Sequence, residues 1–174
     1  RLSTMDCTEI FHQDPGNEAI QELMELFAEA LNDLGRYLLQ HFNGSFLRLI
    51  KAANHSAETL AEILTGMLFF RDTAPYGKKT VHFYKRAQLA SADLSLAFRG
   101  KGAGYFHDLD RLTIFADNLV PHVLRVDGLL LYDEGLASRI DRGEPIPSKS
   151  EEEVEIRACA VHAVELIKHE LQRE

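Results

Sequence analysis

The sequence predicts an all-α fold, and three observations support this class. Apolar residues recur at helical spacing through residues 18–42, and the chain is continuously compatible with a helix from Val154 to Leu171. No convincing run of alternating polar and apolar residues marks a strand, and no internal repeat is found. With 174 residues, 45% of them hydrophobic, the chain can bury one substantial core. We therefore expect residues 1–174 to form a single helical domain.

The first predicted helices are bounded by recognisable start and stop residues. Pro15-Gly16-Asn17 breaks the chain before the helix at 18–42, and Asn43-Gly44 offers the left-handed residues that commonly end helices. A shorter helix is expected from Phe46 to about Ala53. Ser56 is placed to cap a further helix through the segment AETLAEILTGM.

The middle of the chain predicts a loop and then a helix. Between Phe69 and His82, aromatic residues, Pro75, Gly77 and mixed charges leave no clean period, so we expect a loop with room for one short extended piece. Helical spacing returns in FYKRAQLASADLSLAFRG, which ends at Gly100. Three glycines then follow within GKGAG, which predicts a flexible or tightly turning loop.

The remaining helix starts are predicted from polar residues that precede apolar runs. The candidates are Asp108 or Asp110 for a short helix into Leu112 and Phe115, Asn118 for the next, Asp133 for one through Ile140, and Ser150 for the last. Ser150 and Glu153 also match the capping-box pattern. Pro145 and Pro147 separate the last two helices.

Composition and residue spacing exclude several classes of protein. The net charge of -8 argues against a broad nucleic-acid surface, because such binding depends on Lys and Arg replacing counterions. Cys7 and Cys159 form no disulfide or zinc pattern, and no two of the eight histidines are one helical turn apart. The apolar runs are too short to cross a bilayer, and no secretion signal is recognisable. We expect a cytoplasmic protein with no metal or other cofactor and no membrane partner.

One aspartate stands out in the segment RLTIFADNLVPHVL. If Asn118 is the N-cap of the helix that follows, Pro121 falls at its third position, where a missing N–H is harmless. Asp117 then lies one residue too early to cap, so a carboxylate in apolar surroundings is left for another role. The alternative is structural: Asp117 caps in place of Asn118, or pairs with Arg111 or Arg125.

Two further clusters carry candidate chemistry. In FYKRAQ, aromatic residues adjoin Lys85 and Arg86 at a helix start, where cations are mildly disfavoured, and such a cluster suits a planar anionic ligand. The alternative is an ordinary helix start with both cations in water. In EVEIRAC, Glu153 and Arg157 lie one turn apart, which is typical of an exposed structural ion pair.

Three segments in this order resemble the queuosine salvage protein family of queuosine 5'-phosphate N-glycosidases. They are FRDTAPYGKKTVHFYKRAQ, FRGKGAGYFHDLDRLTIFADNLVPHVLR and EEEVEIRACAVHAVELI, and the resemblance covers nearly the whole chain. It implies a fold related to the helix-hairpin-helix DNA glycosylases and hydrolysis of the bond between ribose and deazaguanine. The products would be queuine and ribose 5-phosphate. The expected partners are small molecules, queuosine 5'-phosphate and queuine, without direct binding of nucleic acid.

The resemblance also suggests roles for named residues. Breaking an N-glycosidic bond develops positive charge on the sugar, which a carboxylate can stabilise or attack. We expect Asp117 to be that carboxylate, with contact to either base or sugar, and Lys85 to bind the 5'-phosphate or to hold Asp117 ionised. The remaining candidates contact the substrate or support the site: Phe115 by stacking, Asn118 by hydrogen bonding, and Tyr84, Arg86, Glu155 and Arg157.

The chain departs from the family pattern at both ends. Family members carry a further N-terminal helical portion and a C-terminal segment with aromatic residues, an acidic residue and tryptophan, whereas this chain has no Trp and ends in HELQRE. We therefore expect it to be part of a longer chain, with some pocket residues outside it. The competing hypothesis from another class is a noncatalytic helical module that binds modified nucleotides or RNA.

Overall fold

The computed structural model describes residues 1–173. Within this range the α-helices are α1 (Thr4–Ile10), α2 (Glu18–Phe42), α3 (Phe46–Ala52), α4 (Ala57–Leu64), α5 (Lys85–Ala97), α6 (Leu119–Val126), α7 (Glu134–Asp141) and α8 (Glu151–Leu171). Two strands, β1 (Thr73–Tyr76) and β2 (Lys79–His82), pair as an antiparallel hairpin between α4 and α5. No described helix is both long enough and apolar enough to cross a membrane.

Most of the predicted helices are confirmed, together with their caps. The Asn17 side chain accepts the Ile20 N–H at the start of α2, and Asn43 ends that helix in the left-handed conformation, with φ of 52°. Ser56, Asp133 and Ser150 each accept an N–H group from the first turn of the helix that follows. These starts are readable from the sequence because a capping side chain acts on groups only two or three residues away.

The hairpin corrects the all-α prediction. Residues 69–82, expected as a loop, include both strands, and the fold is mostly helical with one small sheet. Tyr76 pairs with Lys79 across a two-residue turn, whose first residue, Gly77, has φ of +55°. Only Ala74 is buried in β1, so the strand shows no alternating apolar pattern that would reveal it.

The predicted helix into Leu112 and Phe115 is wrong. Only a single 3-10 turn forms, over Leu109–Arg111, and no side chain caps it. Asp108 instead reaches back across the fold to α4, where it accepts the Ala57 N–H at 2.6 Å. A capping carboxylate serves whichever helix end tertiary packing brings near it, and local spacing does not show which one.

Helix α1 is an addition that apolar spacing does not predict. Ser3 and Asp6 form a reciprocal capping box at its start. Its buried Cys7 packs with Met24 and Ala28 of α2 in a small separate cluster. This cysteine therefore behaves as a small apolar core residue.

Two clusters of buried residues organise the rest of the chain. The larger one joins α2, α3, α4 and α5. The smaller one consists of Ala74, Phe83, Ala116 and Val154. It brings β1, the residue pair before α5, the segment before α6 and the start of α8 into contact. The residues next to this small cluster in sequence form the candidate site.

Candidate active site

Two cavities share lining residues from the segment that precedes α6. The apolar cavity has a volume of about 450 Å³, and its distinctive lining residues are Pro121, Tyr132, Ile140, Ile146 and Ile156. The basic cavity has a volume of about 540 Å³, and its distinctive cations are Arg71, Lys85, Arg86 and Lys149. Four residues line both cavities, and these are Asp117, Asn118, Glu153 and Arg157.

The carboxylate of Asp117 has a different set of donors on each oxygen. Oδ1 accepts the Leu119 N–H at 2.9 Å and the Val120 N–H at 3.0 Å. Oδ2 accepts from Nζ of Lys85 at 3.2 Å. The Asp117 side chain is 27% exposed, so the carboxylate is anchored on one side and open to the cavities on the other.

These contacts overturn the predicted capping role of Asn118. Asn118 already has helical backbone angles, φ of -87° and ψ of -17°, and its side chain makes no capping hydrogen bond. Asp117 caps α6 instead, which is the structural alternative that the sequence left open. The exposed Asn118 side chain is consequently available at the boundary of the two cavities.

The environment of Asp117 favours its ionised form. Partial burial raises the pKa of this carboxyl group, but the Val120 N–H, the Lys85 ammonium group and the Leu119 N–H outweigh burial. The pKa of Asp117 therefore lies below its ordinary value of 3.8. The site presents a carboxylate, rather than a carboxylic acid, at neutral pH.

Lys85, not an arginine, is the charged partner of Asp117. The two arginines considered from sequence pair elsewhere: Arg111 contacts Glu58 at 3.0 Å, and Arg125 contacts Asp141 at 2.8 Å. Of the two roles expected for Lys85, the geometry matches the one in which it holds Asp117 ionised.

Arg157 of α8 joins several parts of the site. Its guanidinium group donates to both oxygens of Asp72, at 2.6 and 3.1 Å, and to Glu153 at 3.2 Å. Its Nε donates to the Ala116 carbonyl at 3.1 Å, and its Cζ lies 3.9 Å from the ring centre of Phe83. Because the side chain is only 14% exposed, the pair with Glu153 is not the exposed ion pair expected from sequence.

The chain matches one known protein family over its whole length. The model of the family described as "Queuosine salvage protein" matches residues 1–174. The chain belongs to this family. The match covers the Lys85–Asp117 pair, the hairpin and the whole of α8.

Three relatives of this chain share the name Queuosine 5'-phosphate N-glycosylase/hydrolase. The protein of Sphaerobacter thermophilus is 44% identical over 150 residues, or 86% of this chain and 46% of the relative. That of Nematostella vectensis is 39% identical over 163 residues (93% and 46%), and that of Mus musculus is 38% identical over 150 residues (86% and 44%). The chain spans less than half the length of these curated relatives.

Some residues that the queuosine salvage resemblance singled out lie together, and others do not. Arg86 joins Lys85, Asp117, Asn118 and Arg157 as a lining residue of the basic cavity, and it donates to the Phe69 carbonyl. Three predicted residues are not among the lining residues of either cavity: Phe115, Tyr84 and Glu155.

Local geometry explains two of these three positions. Tyr84 borders a different cavity beside Gln88 and Leu112. Glu155 accepts a hydrogen bond from the Tyr76 hydroxyl group. It lies two residues from Glu153 on α8, which places the two carboxylates on nearly opposite faces of the helix. Arg157, four residues from Glu153, shares its face.

Other residues of the candidate site are not marked by any sequence pattern. Asp72 and Arg71 lie in the quoted segment FRDTAPY, but no periodicity or motif rule distinguishes them. Lys149 and Tyr132 come from two separate loops. Burial raises the pKa of Tyr132, and its hydroxyl group donates to the Pro121 carbonyl at 3.4 Å. Only the fold brings these residues, which come from three separate segments, to the lining of the two cavities.

Proposed function

We propose that the protein hydrolyses the N-glycosidic bond of queuosine 5'-phosphate and releases queuine and ribose 5-phosphate. The observation that carries this proposal is an ionised Asp117, paired with Lys85, between an apolar and a basic cavity. The name of the family relatives supports the same substrate. The bond between C1' and the base nitrogen breaks, the hydroxyl of water joins C1', and the water proton leaves with the base.

Asp117 faces the sugar in this proposal. As the bond breaks, C1' and the ring oxygen gain positive charge, and a fixed carboxylate nearby stabilises that charge or bonds to C1'. Two backbone N–H groups already fix Oδ1, so the carboxylate needs little reorganisation during the reaction. Lys85 keeps the group ionised and holds Oδ2.

The apolar cavity is the proposed site for the deazaguanine base. Its wall contains Tyr132 and three isoleucines, which suit a flat heterocycle. Asn118 lies at the edge of this cavity and carries both a donor and an acceptor for the rim of a base. His122 also borders the cavity and is a candidate to give the departing base nitrogen its proton.

The basic cavity is the proposed site for the 5'-phosphate. Arg71 and Arg86 are held by backbone carbonyls, of Thr65 and Phe69 respectively. Neither arginine nor Lys149 forms an ion pair with any carboxylate of residues 1–173, so their charge remains available to an anion. Guanidinium groups bind phosphate through paired N–H donors.

A relationship to the helix-hairpin-helix DNA glycosylases is part of the same proposal. Helices α3 and α4 are joined by residues 53–56 alone, which gives the short helix–hairpin–helix connection that such a fold contains. The pocket for a nucleotide lies beyond this pair, beside α5, α6 and α8.

The test is to incubate the full-length protein with queuosine 5'-phosphate and to measure free queuine by mass spectrometry. We expect release without RNA, and we expect the nucleotide to be a better substrate than the nucleoside queuosine. Replacing both cavity arginines, Arg71→Gln with Arg86→Gln, should raise KM for the nucleotide about tenfold or more and leave the nucleoside reaction nearly unchanged.

A negative result would be equally informative. Absence of queuine release, combined with RNA binding that weakens steeply as salt increases, would support the noncatalytic module instead. If the double arginine variant lost the nucleotide and nucleoside reactions equally, the assignment of the 5'-phosphate to the basic cavity would be wrong.

A further inference from the structure

We propose that Asp72 and Arg157 form a positioning pair that sets the geometry of Lys85 against Asp117. This inference rests on the proposed hydrolysis at this site and assigns a role to Asp72, which no sequence pattern marks. The pair lies between the two backbone segments that carry the reacting side chains. Neither member needs to touch the sugar for this role.

Asp72 organises the start of α5. Its Oδ2 accepts the backbone N–H of Lys85 at 3.2 Å, and its own carbonyl oxygen accepts the N–H groups of Phe83 and Tyr84. Tyr84 occupies the N-cap position in a left-handed conformation, with φ of 50°, and provides no side-chain cap. Asp72 therefore supplies from thirteen residues away the acceptor that the local sequence lacks.

Arg157 connects that carboxylate to the segment that carries Asp117. Its two terminal nitrogens hold Asp72 in a bidentate pair, while Nε donates to the carbonyl of Ala116, the residue immediately before Asp117. The aromatic face of Phe83 packs under the same guanidinium group. The guanidinium group of Arg157 thus contacts Ala116, which precedes Asp117, and also Asp72, which accepts the backbone N–H of Lys85.

This arrangement explains how a partly exposed pair keeps one geometry. Lys85 and Asp117 are 33% and 27% exposed, and a lysine–aspartate pair at such exposure is weakly held by its own attraction. Asp72 is about as exposed as Asp117, at 25%, but Arg157 is only 14% exposed, and the fork geometry of their pair permits few alternatives. Lysine at position 157 would retain the charge but could not make the bidentate contact and the Ala116 contact together.

The contacts of this pair favour positioning over substrate binding, although both residues line the basic cavity. Both oxygens of Asp72 and all three nitrogens of Arg157 already have protein partners. Disrupting the pair should therefore displace Lys85 and Asp117 without removing a phosphate or base contact. Displacements of about 1 Å in a reacting group can lower rates by up to roughly a hundredfold.

The experiment compares Asp72→Asn and Arg157→Lys with the wild type in the full-length protein. We expect kcat per folded molecule to fall by about tenfold or more in each, with KM for queuosine 5'-phosphate within about twofold. The matched control is Glu152→Gln, which breaks another 2.6 Å pair of α8, with Arg139, outside both cavities. Its kcat per folded molecule should equal that of the wild type.

The outcomes distinguish the two levels of the proposal. If the wild type releases no queuine, the proposed function and this inference are both wrong. If the wild type is active and both variants retain full kcat per folded molecule, only the positioning role is wrong. A rise in KM at unchanged kcat would also overturn it, because Arg157 and Asp72 would then be substrate contacts. If Asp72→Asn does not fold, Arg157→Lys gives the same readout.

Discussion

Asp108 and Asp117 both lie between α5 and α6, and each accepts hydrogen bonds from the first N–H groups of a helix. Asp108 caps α4 and is only 6% exposed, with both oxygens occupied by Ser56, Ala57 and Glu58. Asp117 caps α6 with one oxygen and is only partly buried. Its other oxygen meets Lys85 at the boundary of two cavities.

The two carboxyl groups also share a lowered pKa. Burial raises the pKa of each, and in each case hydrogen bonds outweigh burial, chiefly those from Ser56 and Ala57 for Asp108 and those from Val120 and Lys85 for Asp117. Neither capping nor a lowered pKa therefore marks a functional carboxylate. Asp117 differs in that one of its oxygens meets the Lys85 ammonium group at a place where two cavities share lining residues, whereas the donors of Asp108 are Ser56 and backbone N–H groups.

The largest expected effect comes from neutralising Asp117. Asp117→Asn should lower kcat for queuine release by about a hundredfold or more, because the developing sugar charge loses its counter-charge. Asparagine caps helices about as well as aspartate, so the free energy of unfolding should change by less than about 1 kcal/mol. Kinetics and urea unfolding of the full-length variant measure the two effects.

Asp108→Asn is the matched control for that variant. An amide has fewer acceptor sites for the donors around Asp108, so we expect a loss of about 1–3 kcal/mol in the free energy of unfolding. The value of kcat per folded molecule should stay at the wild-type level. The comparison breaks down if Asp108→Asn abolishes turnover in folded protein, or if Asp117→Asn loses stability rather than rate.

A smaller but more specific effect is expected from Lys85→Met. Burial raises the pKa of Asp117 while Lys85 is among the groups that lower it, so loss of the ammonium group should raise that pKa. The acid limb of the kcat/KM profile, where Asp117 becomes protonated, should then move to higher pH, with kcat down about tenfold. Lys78→Met, in the exposed hairpin turn, should leave the profile unchanged. An unmoved acid limb in Lys85→Met would show that this pair does not control the reacting carboxylate.

The smallest effect is expected from Asn118→Ala. Its side chain makes no capping hydrogen bond, so the free energy of unfolding should change by less than about 0.5 kcal/mol. Ser56→Ala, at a true N-cap, should cost about 1 kcal/mol. Chemical unfolding of both variants checks this assignment, and a larger loss for Asn118→Ala would return the capping role to that residue.

The candidate site was partly predictable from sequence. Resemblance indicated Lys85, Asp117 and Arg157, and the structure places all three within one cluster of contacts. Asp72 could not be found in this way, because its contact with Arg157 joins residues 85 positions apart. Tyr84 and Glu155 belong to the same motifs but do not line either cavity. The local backbone geometry, and not membership of a motif, decides which way a side chain points.

Local sequence determined most helices of this protein, because apolar periodicity and caps such as Asn17 and Ser150 act over one or two turns. Tertiary structure decided which helix each interior aspartate caps and which carboxylate lines both the apolar and the basic cavity. The physical reason is that any helix start offers unpaired N–H groups to whichever acceptor packing brings near. Asp108 and Asp117 satisfy the same need, and only the packing around Lys85 and Arg157 leaves one of them at the site.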